Sequence, residues 1–311
     1  MTRILKPKAL KKGGVIGICS PASPLSSTDA LDASIRYVEQ LGYRVELAPN
    51  LFRKRGYLAG SDRQRTDDLH SLFRNKHVNI IIVARGGYGT HRILPLLDYD
   101  LIRKHPKLVV GYSDITALQL ALFTKASLMS VSGAMMTELP KTFGSNSEEM
   151  YWQAITSPRP LSSIKGKHPF GGKTARHATG RILGGNLSLI SALAGTSFFP
   201  SSWKNRILLL EEIDERPYRI DRMLQQLQLN GTLDDLSGIL LGDFGDCLPL
   251  KNKPSLLIDD VFRDAFGKRS YPVLNGFRYG HISKSLTFPI GVQARLASDR
   301  RTLQFLESAV Q

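Results

Sequence analysis

Short apolar runs without polar alternation recur along the first half of the chain. Three of them, residues 15–18, 80–83 and Leu108–Val110, are each followed by a turn that contains glycine or serine and then by a helical pattern. Strands buried on both faces show such runs because helices cover both sides of a parallel sheet. The pattern therefore predicts alternating strands and helices, with Arg44–Leu47 as a further strand.

Apolar residues at helical spacing lie between these runs. Leu31, Ile35 and Val38 predict one helix because they share a single face, and a second helix is predicted from Asp62 onward. Between the last two apolar runs, residues 93–97 supply the apolar side of a crossover helix. Parallel neighbouring strands require such a crossover, so the first half of the chain predicts a βαβα arrangement.

The composition changes between Thr142 and Gly180, where Gly, Ser, Pro and Lys dominate. At 311 residues the chain is also long for a single core. We therefore expect a first α/β domain at residues 1–141, a linker at 142–180 and a second domain at 181–311. For the second domain the pattern predicts strands at 207–210 and 238–241 and helices at 218–229 and 256–266. A tail of short β runs is predicted at 273–306.

Charge and cysteine content narrow the classes of partner. A formal net charge of +15 raises nucleic acid as a partner, but the basic residues are dispersed along the chain, and we expect no nucleic-acid binding. No apolar run approaches the length of a membrane span, and residues 15–19 are too short for a signal peptide. We expect a cytoplasmic protein without a membrane partner. Cys19 and Cys247 are too few for a disulfide framework.

Metal and cofactor motifs are absent from the sequence. The glycine-rich segment 86–89 lacks the Lys-Ser/Thr pair of a phosphate-binding loop and the spacing of a dinucleotide fingerprint. The seven histidines follow no metal-binding spacing, and they are His70, His77, His91, His105, His168, His177 and His281. We expect no metal and no cofactor.

Ser113 lies between the apolar run Leu108–Val110 and a helical pattern. A serine in that place projects above the carboxyl edge of the sheet, where open α/β folds bind ligands, and it lies beside the backbone amides of the helix start. It is therefore a candidate nucleophile. The alternative is a helix N-cap, and Ile115 occupies the position at which the Gly-x-Ser-x-Gly elbow has its second glycine. The residues alone leave both roles open.

Glu211 and His281 also follow apolar segments or glycine-containing turns. A serine, a histidine and a carboxylate are the parts of an activated hydroxyl, because the imidazole takes the serine proton and the carboxylate orients the imidazole. Three nearby acids, Glu212, Asp214 and Glu215, compete with Glu211 for this role. The alternative for His281 is a loop histidine that is hydrogen-bonded to the backbone.

Five short motifs occur in order along nearly the whole chain: RGGYG at 85–89, GYSDITA at 111–117, GGNL at 184–187, LEEIDERPYR at 210–219 and GH at 280–281. They resemble the motifs of the LD-carboxypeptidases, a family of serine peptidases that includes murein tetrapeptide carboxypeptidases and microcin C immunity peptidases. One departure is visible in the SGAM stretch at 132–135, where many relatives carry a proline.

The resemblance implies an α/β fold, with an N-terminal Rossmann- or flavodoxin-like parallel-sheet domain and a smaller β-rich C-terminal domain. It also implies that Ser113 is the nucleophile, supplied by the first domain, and that Glu211 and His281 come from the second. Homodimers are usual in the family, so a homodimer is expected.

The activity implied by the resemblance is that of a serine L,D-carboxypeptidase. Such an enzyme removes the terminal D-alanine from cytoplasmic murein tetrapeptides during cell-wall recycling, through an acyl-enzyme. The alternatives are an immunity-type peptidase that cleaves a peptide–nucleotide antibiotic, and a catalytically silent binding protein of the same fold.

Two further roles are predicted around Ser113. The backbone amides of Gly87 and Asp114 are expected to form the oxyanion hole, because the glycines of the turn permit a close backbone approach. Arg85 is a candidate for binding the free terminal carboxylate of the substrate, since arginine makes charge-assisted bonds to carboxylates. The alternative for Arg85 is to buttress the neighbouring loops through an ion pair.

Overall fold

The computed structural model describes residues 3–167, 169–170 and 177–311, with the backbone alone at Pro169 and Phe170. Some parts of the sequence predictions lie outside the described residues. These parts are His168, residues 1–2 of the expected first domain, and residues 171–176 of the expected linker.

The described residues form strands and helices in close alternation through the first half of the chain. The strands are β1 Val15–Cys19, β2 Arg44–Leu47, β3 Val78–Val83, β4 Leu108–Val110, β5 Ser130–Ser132, β6 Ile164–Lys165, β7 Pro169–Phe170, β8 His177–Asn186, β9 Arg206–Ile213, β10 Gly238–Gly245, β11 Val273–Leu274, β12 Phe288–Ile290, β13 Gln293–Ala297 and β14 Thr302–Phe305. The α-helices are α1 Thr28–Gln40, α2 Asp62–Arg74, α3 Thr90–Ile93, α4 Tyr99–Lys104, α5 Ile115–Ala126, α6 Ser145–Thr156, α7 Leu187–Leu193, α8 Pro217–Leu229 and α9 Ile258–Phe266.

The chain divides into two compact units. The first contains Met1–Arg159, Ser283–Gly291 and Ser308–Gln311, and the second contains Pro160–Ile282 and Val292–Glu307. Each unit is thus built from more than one stretch of sequence. The linear domain boundaries that we expected, at 141 and 180, stay a prediction.

In the part of the chain that the structure describes, the sheet of the first unit has six strands in the order β12-β5-β4-β3-β1-β2. β1 to β5 are parallel, and β12 pairs antiparallel with β5. The central strands are buried, as their continuous apolar runs predict. Helix α2 begins with a capping box in which Ser61 Oγ accepts from the Gln64 amide and Gln64 Oε1 accepts from the Ser61 amide.

The predicted crossover helix over residues 93–97 is wrong in detail. The chain there forms the short helix α3, a 3₁₀ turn at Leu94–Leu96, and then the separate helix α4. Pro95 accounts for the interruption because it has no amide hydrogen to donate to the helical ladder. Leu96, which we assigned to the apolar face, is half exposed as a result.

Among the described residues, the sheet of the second unit has eight strands in the order β6-β14-β13-β8-β9-β10-β11-β7. Its four central strands, β8 to β11, are parallel to one another. The strands on either side pair in antiparallel fashion. The buried run of β9 explains this centre, since its residues from Ile207 to Glu212 have almost no exposed surface. A parallel-sheet unit followed by a β-rich unit confirms the predicted fold class.

In the described residues, no helix combines the length and the apolar composition that a membrane crossing demands.

Candidate active site

Ser113 lies in a tight turn of the first unit, between β4 and α5. Its backbone has a φ of 63°, in the left-handed region that non-glycine residues seldom adopt. Such a conformation costs on the order of 1–3 kcal/mol and is found where the surrounding structure holds it in place. The residue that precedes α5 is Asp114 and not Ser113, so the N-cap alternative for Ser113 is not observed.

The glycine-rich turn after β3 packs directly against this serine. A Cβ atom placed on Gly86 would lie 3.3 Å from Ser113 Oγ, and one placed on Gly87 would lie 2.3 Å from Ser23 Oγ. Gly87 also has a φ of 106°. Position 87 therefore requires glycine, for the approach to Ser23 and for its backbone conformation, while Gly86 lies in tight contact with Ser113.

Two backbone amides near Ser113 are not engaged elsewhere. Within the described ranges, the amides of Gly87 and Asp114 donate to no other group. These are the two amides that the sequence predicts as an oxyanion hole. Their role stays a prediction, but within the described residues both N–H groups can still donate a hydrogen bond, as such a role requires.

Asp114 holds the two turns together. Its Oδ2 accepts from the Thr90 amide at 2.8 Å, and its carbonyl oxygen accepts from Thr90 Oγ1 at 2.7 Å. Burial raises the pKa of the Asp114 carboxyl, while the bonds from Thr90 lower it. The turn after β3 and the turn after β4 are therefore fixed to each other by side-chain hydrogen bonds.

The SGAM stretch at 132–135 also borders the glycine-rich turn. Met135 Cε would lie 3.4 Å from a Cβ on Gly86, and the Met135 amide donates to Glu138 Oε2 at 2.7 Å. Tyr112, next to Ser113, donates its hydroxyl to the other oxygen of Glu138. The departure from the family pattern thus occurs beside Ser113.

Arg85 makes a contact within the same unit. Its Nη1 donates to the carbonyl of Pro24 at 3.2 Å, in the loop after β1. This bond links the turn after β3 to the loop after β1 without an ion pair, and the carboxylate-binding role of Arg85 stays a prediction.

In the second unit, Glu211 and His281 form a pair. His281 Nδ1 lies 2.8 Å from Glu211 Oε2, with the Glu211 side chain fully buried and the His281 side chain 19% exposed. Gly280 permits this approach because it has a φ of 128° and because a Cβ there would lie 2.9 Å from Glu211 Oε2. A carboxylate at Nδ1 fixes the proton on that nitrogen and leaves Nε2 as the acceptor for another partner.

The three competing acids have other surroundings. Glu212 points to the opposite face of β9 and accepts from Asn186 Nδ2, the Ser188 amide and Ser188 Oγ, at 2.7 to 2.8 Å. Burial raises the pKa of Glu212, and these bonds lower it. Asp214 is exposed, and Glu215 binds Arg219, which leaves Glu211 as the acid at the histidine.

Two residues near these groups were not found from the sequence. Asp243, on β10, donates its amide to the Tyr279 carbonyl at 2.7 Å; burial raises the pKa of its carboxyl, and the negative charge of Glu211 raises it further. Its position just after a buried run of the neighbouring strand was the available signal. Ser23 donates to the carbonyl of Tyr57 and accepts from the amide of Tyr88, but no sequence pattern indicated these contacts.

Across the described ranges, no group of three or more His, Cys, Asp and Glu side chains is arranged to hold a metal ion.

Comparison with known proteins places this arrangement in a class. Two family models match the chain, the LD-carboxypeptidase N-terminal domain over residues 16–133 and the LD-carboxypeptidase C-terminal domain over residues 179–296. Together with the fold, these matches define an α/β peptidase. The chain belongs to the LD-carboxypeptidase family, which confirms the resemblance seen in the sequence.

Individual relatives agree over almost the full length. The chain is 40% identical over 304 residues to a probable murein peptide carboxypeptidase of Bacillus subtilis, covering 96% of this chain and 93% of that protein. It is 25% identical over 333 residues to the microcin C7 self-immunity protein of Escherichia coli, covering 96% and 94%. The crystal structure of muramoyltetrapeptide carboxypeptidase from Oxalobacter formigenes superposes with a TM-score of 0.82 at 28% identity, covering 94% of this chain and 97% of that one.

Proposed function

We propose that the protein is a serine L,D-carboxypeptidase that removes the terminal D-alanine from murein tetrapeptides in the cytoplasm, during cell-wall recycling. The observation that carries the proposal is the buried Glu211 carboxylate at 2.8 Å from His281 Nδ1, in a chain of the LD-carboxypeptidase family. The B. subtilis relative, named a probable murein peptide carboxypeptidase, supports the choice of substrate.

In the proposed reaction, Ser113 Oγ attacks the carbonyl carbon that precedes the terminal D-alanine. His281 Nε2 takes the hydroxyl proton as the new C–O bond forms, and Glu211 stabilises the resulting imidazolium. The tetrahedral oxyanion accepts hydrogen bonds from the amides of Gly87 and Asp114. The C–N bond then breaks, and His281 returns the proton to the leaving amine.

The second half of the reaction repeats these steps with water. His281 takes a proton from water, the hydroxide attacks the acyl carbon, and the C–O bond to Ser113 breaks as its oxygen recovers a proton. The products are D-alanine and the shortened peptide. Arg85 is proposed to bind the free carboxylate of the terminal D-alanine, and the active form is proposed to be a homodimer.

The second candidate function is cleavage of a peptide–nucleotide antibiotic by the same serine chemistry. The similarity to the E. coli self-immunity protein favours keeping this candidate in the test. Both candidates use an acyl-enzyme, so they differ in the leaving group that the enzyme accepts.

The test is to incubate the purified protein with free murein tetrapeptide, with its muramyl form and with an aminoacyl-nucleotide amide, and to follow the released amino acid by mass spectrometry. We expect D-alanine from the tetrapeptides, none from a tetrapeptide that ends in L-alanine, and none with Ser113→Ala. Light scattering on the same sample tests the dimer. Release from the nucleotide amide alone would select the second candidate, and release from no substrate would refute both.

A further inference from the structure

Arg65, on α2, is a buried arginine among polar helix neighbours. Its side chain has no exposed surface, whereas Arg63 on the same helix is 91% exposed. Removing a guanidinium from water costs several kcal/mol unless its donors are satisfied. Burial lowers the pKa of Arg65, and Asp62 opposes this decrease.

The two terminal nitrogens of Arg65 bind two loops and one acid, while its buried Nε makes no hydrogen bond within the described residues. Nη1 donates to the carbonyls of Pro21 and Gly89, the latter at 2.8 Å, and Nη2 donates to Asp62 Oδ1. Asp62 is itself held by two bonds from Arg92, at 2.8 and 2.9 Å. Arg65 therefore joins the loop after β1 to the glycine-rich turn after β3.

This junction fits closely on the side of the glycine-rich turn. A Cβ on Gly89 would lie 2.7 Å from Arg65 Nη1, and Gly89 has a φ of 136°. The next residue, Thr90, makes the two bonds that hold Asp114 beside Ser113. Arg65 thus binds the residue next to Thr90, whose hydrogen bonds fix the turn after β4.

The other loop leads back to the same place. Two residues after Pro21, the Ser23 amide donates to the Gly86 carbonyl at 3.3 Å, and Ser23 Oγ accepts from the Tyr88 amide at 3.1 Å. Gly87 lies between these two anchored positions. Both ends of the segment that carries the Gly87 amide are therefore bound by Ser23, two residues along the chain from the Pro21 carbonyl that accepts from Arg65.

We infer that Arg65 is a positioning residue of the proposed reaction, which sets the separation and direction of the Gly87 and Asp114 amides that bind the oxyanion. The inference rests on the proposed function, because it assigns Arg65 a role through that oxyanion hole. Arginine is suited to this task because its planar group carries several donors in fixed directions, whereas a lysine ammonium is a point charge on a flexible stem.

The test compares Arg65→Met and Arg65→Lys with Arg63→Met, the matched control on the exposed face of the same helix. For Arg65→Met we expect kcat for tetrapeptide cleavage to fall about a hundredfold, with KM within about threefold, because oxyanion donors act in the transition state. The kcat of Arg65→Lys should lie between those of Arg65→Met and wild type, and the kcat of Arg63→Met should stay within about twofold of wild type.

A second readout does not depend on the natural substrate. Labelling of Ser113 by a fluorophosphonate also passes through an oxyanion, so Arg65→Met should slow labelling in step with kcat. A wild type that is labelled but cleaves no tetrapeptide would refute the proposed substrate and leave Arg65 to be decided by the labelling rate. A wild type that is neither labelled nor active would refute both proposals.

If Arg65→Met does not fold, judged by circular dichroism and thermal unfolding, Arg65→Lys and Thr90→Val decide the question. Thr90→Val keeps the shape of the side chain and removes its hydrogen bond to the Asp114 carbonyl, and we expect about a tenfold lower kcat. Folded variants at position 65 or 90 with kcat within about twofold of wild type, or with a change in KM alone, would overturn the inference.

Discussion

The residues around Ser113 and His281 are held by backbone conformations that most side chains do not permit. Ser113 has a φ of 63°, while Gly87 and Gly280 have values of 106° and 128°. Each glycine lies against a polar atom of the candidate site, Ser23 Oγ for Gly87 and Glu211 Oε2 for Gly280. At this scale, uncommon backbone conformations and glycines without a Cβ allow polar atoms to lie close together.

Adjacent glutamates on β9 should have separate effects when they are changed. Glu211→Gln should lower kcat about a hundred- to ten-thousandfold with little loss of stability, because an amide no longer fixes the proton on His281 Nδ1. Glu212→Gln should leave kcat within a few-fold but lower the unfolding temperature, because it disturbs the hydrogen bonds from Asn186 and Ser188. Steady-state kinetics and thermal unfolding of both variants test this. Equal kinetic effects would contradict the assignment of Glu211.

Helix α2 connects several elements of the first unit through buried polar side chains. Besides Arg65, it carries His70, whose Nε2 accepts from the Asp98 amide at 2.9 Å, at the start of α4. Burial lowers the pKa of His70 from its ordinary 6.5, the positive charge of Arg74 lowers it further, and Asp98 and Asp67 oppose this. The bond to Asp98 requires the neutral imidazole, so α2 holds α4 in a pH-dependent way.

The stability of the first unit should therefore decrease in mild acid. Below about pH 6.5 the unfolded chain binds a proton at His70 that the folded chain does not. The free energy of unfolding therefore decreases as the pH is lowered, until the pH reaches the lower pKa that His70 has in the folded chain. In His70→Gln, where an amide oxygen can accept from Asp98, this part of the decrease should be absent. Urea unfolding at about pH 7.5 and about pH 5.5 measures the difference. The same decrease in both proteins would exclude His70 as its source.

At the scale of the whole molecule, the proposed reaction uses three side chains that lie far apart in the sequence, Ser113, Glu211 and His281. A reaction that needs all three side chains as one device has non-additive mutant effects, because the remaining members contribute little once one is lost. This property distinguishes residues that act together in one reaction from residues that act independently.

Ser113→Ala and His281→Ala should each lower kcat by up to about a millionfold, and the double variant should be no slower than either single one. The measurement is the rate of D-alanine release, with circular dichroism to confirm folding. Multiplied effects in the double variant would indicate that the two residues act independently, and unchanged rates would remove them from the mechanism.

A large part of the fold could be predicted from the sequence alone. The continuous apolar runs located β1, β3, β4 and β9 because a strand covered on both faces has no polar positions. Pro95 was the visible signal for the one helix that was predicted wrongly, and it was outweighed by the leucines around it. The pairing of β12 with β5 was not predictable, because it joins residues about 160 positions apart through backbone atoms that carry no sequence signal.

The sequence by itself determined the alternation of strands and helices, the family motifs and the residue types of the candidate site, because these depend on local spacing and side-chain chemistry. The tertiary structure decided which acid meets His281, since Glu211 and Glu212 are neighbours in sequence but point to opposite faces of β9. It also decided that Arg65 is buried while Arg63 is exposed. Both outcomes depend on what the rest of the chain places against a side chain, and local sequence does not contain that information.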